Sequence, residues 1–190
     1  GCMGGVLAIS FLFQIFAYSP LSDDRIVFVD VGQGDSVHIS SHGMDVLIDG
    51  GGSIGYNVGK KTLKPYLLKN GAADIDLALA THQHMDHMKG LEELQEVYPV
   101  KKLMTGLTAG TEINVNKDVK IQTLWPESIP ENEGQDANSL CSVFMIFYKE
   151  YRILVTGDLD EKGEKMMLEK YSKTGALAAD VLKIGHHGSP

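Results

Sequence analysis

The chain has 190 residues, 43% hydrophobic and 22% charged, which excludes a disordered, collagen-like or coiled-coil protein. It is long enough to bury a core of its own as one domain. Seventeen Lys and Arg against 25 Asp and Glu leave a formal net charge of −8, so nucleic acid is not held by general phosphate neutralisation. Any chemistry on such a polymer needs a local site in which metal ions supply positive charge. Cys2 and Cys141 make no disulfide framework, and no CxxC pair offers a thiolate metal site.

Residues 1–22 read as an apolar leader, set apart from a domain over 23–190. Val6 to Tyr18 (VLAISFLFQIFAY) has no charge, is shorter than the about 20 apolar residues of a full membrane span, and lacks the preceding basic residues of a signal peptide. It fits the tail of a transmembrane helix, with Ser19-Pro20-Leu21-Ser22-Asp23-Asp24 as the exit into water, or a buried N-terminal element of the domain.

From Arg25 the pattern changes to short β-rich runs and single helices. IVFVDV (26–31) and SVHIS (36–40) predict strands joined by Gly32-Gln33-Gly34-Asp35, a hairpin signal. That segment reads as turn chemistry, with no phosphate cradle, because no helix follows it. MDVLID (44–49) predicts a third strand, ended by Gly50-Gly51-Gly52. Residues 57–70 predict a helix whose regular part lies mainly beyond Lys64, because of Pro65. DLALA (76–80) is a buried strand and LEELQEVY (91–98) a helix that Pro99 stops. KKLMT and residues 113–124 predict further strands, and 126–138 a polar loop. SLCSVFMIFY and YRILVT predict a hairpin turning at Lys149-Glu150, 161–171 an amphipathic helix, and 180–184 a last strand. Hairpins interleaved with single helices imply sheet layers covered by helices, an α+β arrangement.

Polar residues of one kind follow the buried strands. LALA leads to His82, His84, Asp86 and His87, ILVT to Gly157-Asp158, VLKI to Gly185-His186-His187, and VLI to Asp49. Ligands bind outside the carboxyl ends of strands in layered α/β folds, so four strands running the same way would gather these groups at one edge. His82 and His84, at i and i+2 in an extended loop, can hold one metal; Asp86 and His87, beyond the bend, can face a second. Imidazole and carboxylate suit Zn, Fe or Mn, and the missing thiolate argues against a structural zinc finger. Asp158 could bridge two ions or merely cap the 161–171 helix; beside the histidine cluster the ligand reading is preferred. Asp49 reads as an acceptor that orients the histidine loop. His38 and His42 read as structural residues, one on a strand and one in a turn.

THQHMDH resembles the HxHxDH signature of the metallo-β-lactamase fold. The order FVDVGQGDS, VLIDGGG, THQHMDHMKG, ANSL, LVTGDL and VLKIGHHGS is similar to the C-terminal domain of ComEC-type DNA-internalisation competence proteins, from about Arg25 to Pro190. The resemblance implies an αββα sandwich with two divalent ions, Zn or Mn, at the sheet edge. It puts His82 and His84 in one metal site, Asp86 and His87 in the other, Asp158 between them and Asp49 in support. His186 or His187 matches the later histidine motif. His187 is a candidate ligand, and Asp86, His186 and His187 are the candidate catalytic residues. No histidine lies between His87 and His186, where typical hydrolases of the fold have another ligand. Asn138 stands in that stretch as a weak ligand, a substrate contact or a loop-fixing residue. The family continues beyond Pro190, so the second half of the sandwich is expected to be truncated, with exposed strand edges that could pair two copies.

These residues point to a metal-dependent hydrolase that uses a metal-activated hydroxide, most simply a phosphodiesterase or nuclease, and the resemblance implies a link to DNA uptake. DNA or a related phosphodiester is the expected substrate, and Lys89 and Lys183 are the candidate phosphate contacts. The resemblance implies a membrane channel region of the same full-length protein as partner, and a bacterial cell-envelope location with the domain outside the cytoplasm. The alternatives are a small-molecule ester, thioester or lactam hydrolase, and a non-catalytic metal-binding module of a channel protein.

Overall fold

The computed structural model describes residues 24–129 and 137–188. The apolar leader and residues 130–136 of the expected polar loop lie outside that range. Among the described residues ten strands form two five-stranded mixed sheets. The first runs β1 (Arg25–Phe28), β2 (Val37–Ser41), β3 (Met44–Ile48), β4 (Leu77–Leu79) and β5 (Leu103–Met104) in spatial order. The second holds β6 (Glu112–Asn114), β7 (Val119–Trp125), β8 (Val143–Tyr148), β9 (Tyr151–Val155) and β10 (Val181–Lys183), in the order β10-β9-β8-β7-β6. Helix α1 (Lys64–Lys69), which a π-type turn over Gly59–Leu63 leads into, and α2 (Met85–Gln95) cover the first sheet. Helix α3 (Glu161–Tyr171) covers the second.

The period-2 alternation of the strands produces this layering. On β3, Val46 and Ile48 pack between the sheets against Ile121, Phe144 and Ile146, whereas Leu47 points outward to Leu63, Leu67, Leu91 and Leu94 of the helical layer. Each such fully buried Leu or Ile contributes about 1.5–3 kcal/mol. The result is an α+β fold in four layers, helix–sheet–sheet–helix.

Two departures from the sequence pattern shape the functional edge. Helix α2 begins at Met85, six residues before the expected 91, so the bend after His84 is the helix start and Asp86 and His87 occupy its first turn. His84 is its extended N-cap (φ −62°, ψ 150°), and the His84 carbonyl accepts from His87 N and Met88 N. Gly90 lets the helix cross the Gly50–Gly52 turn closely: a Cβ there would stand 1.9 Å from the Gly50 carbonyl oxygen. The N-cap of α3 is Asp160, whose side chain accepts from Gly163 N at 2.7 Å. That releases Asp158 from the capping role the sequence left open.

Parallel pairing aligns the strands that matter. β3 with β4, and β9 with β10, run the same way, which sends the segments after all four to the edge that bears Asp49, Thr81, Asp158 and His187. The two structural histidines lie apart from it. His38 is buried on β2, with Nε2 2.9 Å from Asp45 Oδ1 and Nδ1 3.1 Å from Tyr66 Oη. His42, in the β2–β3 turn, meets Asp118 at 2.6 Å.

Candidate metal centre

Asp49 closes the floor of the site. It follows β3 with φ +58°, a left-handed conformation that aspartate tolerates better than most residues. Its Oδ1 accepts from Thr81 N at 2.8 Å, and its Oδ2 from Thr81 Oγ1 at 2.8 Å. Oδ2 also lies 2.9 Å from His87 Nδ1. The carboxylate thereby fixes which His87 nitrogen faces the centre, the role expected of a group behind a metal ligand.

His87 Nε2 then points at Asp158 Oδ1, 3.1 Å away, and both side chains are buried. His187 reaches the same point from the other sheet: Nε2 is 3.5 Å from Asp158 Oδ1 and 3.7 Å from Asp86 Oδ2. The His87 and His187 rings lie nearly parallel, centroids 5.7 Å apart. His82 packs 4.3 Å from His87 and 4.6 Å from the exposed His84, centroid to centroid. Asp35 Oδ1 is 3.5 Å from His187 Nδ1. Asp35, His87, Asp158 and His187 offer ligand atoms that all lie within 4.8 Å of one another.

The donors fit a divalent cation. His82 Nε2 is buried without a hydrogen-bond partner, a cost of about 1–3 kcal/mol that ligation would relieve. The set is imidazole and carboxylate, as Zn or Mn accept.

Of the sequence-predicted residues, the fold thus gathers His82, Asp86, His87, Asp158 and His187, with Asp49 beneath and His84 at the rim. Of the doublet, His187 reaches the cluster of ligand atoms, whereas His186 sits at φ +44° outside it, with its N–H on the Gly157 carbonyl (3.3 Å). Asn138 lies half-buried on the short 3₁₀ turn Ala137–Leu140, its carbonyl accepting from Cys141 N. Lys89 turns away, donating to Ser53 O at 2.6 Å beside Glu93.

Asp35 is the residue that sequence reasoning missed. Its turn is pressed onto the site: Gly34 has φ +86°, and a Cβ there would stand 1.7 Å from the Asp86 carbonyl oxygen, so only glycine fits. Gly51 N donates to the Asp35 carbonyl at 2.8 Å. A signal was present, since Gly34-Asp35 follows a β-rich run just as Gly157-Asp158 does.

The charges are strongly coupled in the metal-free chain. Burial lowers His82, helped by the neighbouring His87, to about 4. Burial also pulls His87 down, but the Asp158 and Asp49 carboxylates outweigh it and raise it to about 10. Asp158 is pushed up by burial and down, to about 2, by His87, His187 and Lys183. His87's contribution to stability is therefore complete below its ordinary 6.5 and lost as pH rises toward 10. His82 acts oppositely, its depressed value destabilising the fold as pH falls from 6.5 toward 4. Urea unfolding of the chelator-treated chain should give maximal stability near pH 6–7 and a decline toward pH 9.5. A bound cation replaces the His87 proton, so the metal-loaded chain should lose that alkaline decline.

The profile of the metallo-β-lactamase superfamily matches residues 29–115. ComE operon protein 3 of Bacillus subtilis is 29% identical, aligned over 97% of this chain and 28% of its own length. Competence protein ComA of Neisseria gonorrhoeae is 29% identical over 90% of this chain and 24% of its own. Recombination protein 2 of Haemophilus influenzae is 26% identical over 99% and 24%. The chain thus spans about a quarter of the length of these curated relatives. Among solved structures, the subclass B3 metallo-β-lactamase BJP-1 of Bradyrhizobium japonicum superposes with a TM-score of 0.57 at 16% identity, covering 84% of this chain and 74% of that one.

Proposed function

We propose that this chain, whose residues 29–115 match the metallo-β-lactamase superfamily and whose fold is that of BJP-1, is a metal-dependent phosphodiesterase acting on DNA during uptake. The observation that carries the reading is the buried meeting of His87 Nε2 and Asp158 Oδ1, with the unpartnered His82 Nε2 beside them. Two divalent ions would be held by His82 and His84 on one side and by Asp86 and His87 on the other, with Asp158 shared. Bound there, they would supply Lewis acidity toward a phosphate oxygen and acidify an attacking water.

The chain's own residues do the rest. Asp49 holds a proton on His87 Nδ1, keeping Nε2 as the inward atom. Thr81 fixes Asp49 from its backbone N–H and its hydroxyl. His187 stands at the open rim, its side chain 40% exposed, placed to give a proton to the leaving oxygen while Asp158 and Asp86 hold its ring. The relatives named as competence and recombination proteins support DNA as the polymer. That the chain spans about a quarter of their length supports a domain of a longer protein, which this reading assigns to the cell envelope, with the domain outside the cytoplasm beside a membrane channel region. Among the described residues no helix is long and apolar enough to cross a membrane.

Elemental analysis paired with hydrolysis of bis-p-nitrophenyl phosphate under added Mn or Zn tests the reading. About two ions per chain and chelator-sensitive turnover are expected. Bound metal with no turnover on this ester or on DNA would leave a non-catalytic metal-binding module.

A further inference from the structure

We propose that Lys183 is the phosphate-binding cation of this site and that Asp35 is the residue that positions it. The substrate class, a phosphodiester, rests on the reading above. The placement of the two side chains does not.

Lys183 ends β10, in register with Val155, and its carbonyl accepts from Thr156 Oγ1 at 2.8 Å. The side chain turns into the centre. Its Nζ donates to the Gly157 carbonyl at 2.9 Å, makes a direct ion pair with Asp35 Oδ2, and lies 3.9 Å from Asp158 Oδ1. Only 11% of the side chain is exposed. An ammonium that loses this much hydration is held only where fixed acceptors replace the water. Lys183 is therefore a placed charge rather than a roaming surface lysine. Among the described residues it is the one Lys or Arg in an ion pair with an aspartate of the centre.

The charge balance gives that placement a use. Asp35, Asp49, Asp86 and Asp158 converge on one edge of a chain whose net charge is already −8. An anionic ester approaching it meets repulsion that cations must offset. Lys183 supplies a permanent cation on the Asp35–His187 side, where the rim is open. A cavity of about 180 Å³ lies behind the pair, lined by Phe28, Val37 and Val155 and by the acidic residues Asp30, Asp35 and Asp49; the ester is met on the opposite, His187 side of Lys183. A compact ammonium suits a phosphate oxygen as a point charge.

Asp35 is built to hold it. Its turn is clamped by Gly51 N on the Asp35 carbonyl and by Gly52 N on the Gln33 carbonyl at 3.2 Å. The glycine before it packs on the Asp86 backbone. One carboxylate oxygen takes Lys183 while the other faces His187 Nδ1. A phosphate entering the centre would share Lys183 with Asp35, which keeps the ammonium aimed when the site is empty.

The test uses the metal-loaded full chain and the variants Lys183→Met, Lys183→Arg and Asp35→Asn. Three quantities are read: metal content, calorimetric affinity for thymidine 5′-monophosphate, and the KM and kcat for bis-p-nitrophenyl phosphate. Lys183→Met is expected to keep wild-type metal content, to bind the nucleotide about ten- to a hundredfold more weakly, and to raise KM more than it lowers kcat. Lys183→Arg should restore most of the nucleotide affinity, and Asp35→Asn should show a smaller loss of the same sign with metal unchanged. Unaltered nucleotide affinity in Lys183→Met overturns the proposal. So does tighter metal binding in that variant without loss of nucleotide affinity, which would make the ammonium a filler of the cation's place. Metal loss in Asp35→Asn would make Asp35 a ligand and overturn its positioning role. A wild type that hydrolyses no phosphodiester, yet binds the nucleotide through Lys183, would defeat the phosphodiesterase reading alone and leave this one standing.

Discussion

Replacing Asp158 with alanine should reduce phosphodiester turnover by about a thousandfold or more, equivalent to about 4 kcal/mol at the transition state. Its Oδ1 is the atom on which His87 Nε2 (3.1 Å), His187 Nε2 (3.5 Å) and Lys183 Nζ (3.9 Å) converge. Its carboxylate neighbours already have partners of their own: Asp49 has Thr81 and His87, Asp35 has Lys183 and His187, and Asp86 has His187. The fold should persist, since the αββα core is formed by apolar residues of three separate layers and α3 is capped by Asp160. Elemental analysis should find at most one ion per chain, with circular dichroism unchanged. Asp158→Asn, similar in shape but without the charge, should fail in the same way. Turnover within about threefold of wild type in either variant would defeat a reaction centred on this carboxylate.

Asp49→Ala should strike the fold as well as the site. It removes the acceptor of three buried donors: Thr81 N, Thr81 Oγ1 and His87 Nδ1. A buried donor left unpaired costs about 1–3 kcal/mol, and alanine at φ +58° adds about 1 kcal/mol of backbone strain. For three donors the expected total is at least about 4 kcal/mol, seen as a fall of about 10 °C or more in the thermal midpoint. Asp49→Asn separates the two effects. Asparagine tolerates the left-handed backbone and keeps an oxygen for Thr81 N, so most stability should remain. Its amide nitrogen then stands in place of Oδ2 and can accept from neither Thr81 Oγ1 nor His87 Nδ1, so His87 loses its orientation and metal affinity should fall about ten- to a hundredfold. An Asp49→Asn chain with wild-type metal affinity would show that His87 is oriented without it.

Much of the fold was legible where the pattern is local. The hairpin at Lys149-Glu150, with Lys149 at φ +54°, and the helix over 161–171 follow from alternation and amphipathicity within a few residues. The start of α2 was not, because the glycine in MDHMKGLEELQ lowers helical propensity on its own. Only the close crossing of Gly50–Gly52 explains why that glycine favours the helix there. The Gly32–Asp35 segment reads as turn chemistry alone, yet in the fold it also delivers a carboxylate to the centre.

By itself the sequence determined the donor types, their place after buried strands, and the layered α+β architecture, because alternation and strand-end chemistry are written in neighbouring residues. It could not decide which donors meet. Parallel pairing of β3 with β4 and of β9 with β10, and the stacking of one sheet on the other, bring Asp35, His87, Asp158 and His187 together from distant parts of the chain. It also could not choose between His186 and His187, since that depends on the left-handed backbone of both residues and on which ring then faces Asp158. Those outcomes depend on register and layer packing, which act between elements and leave no local trace.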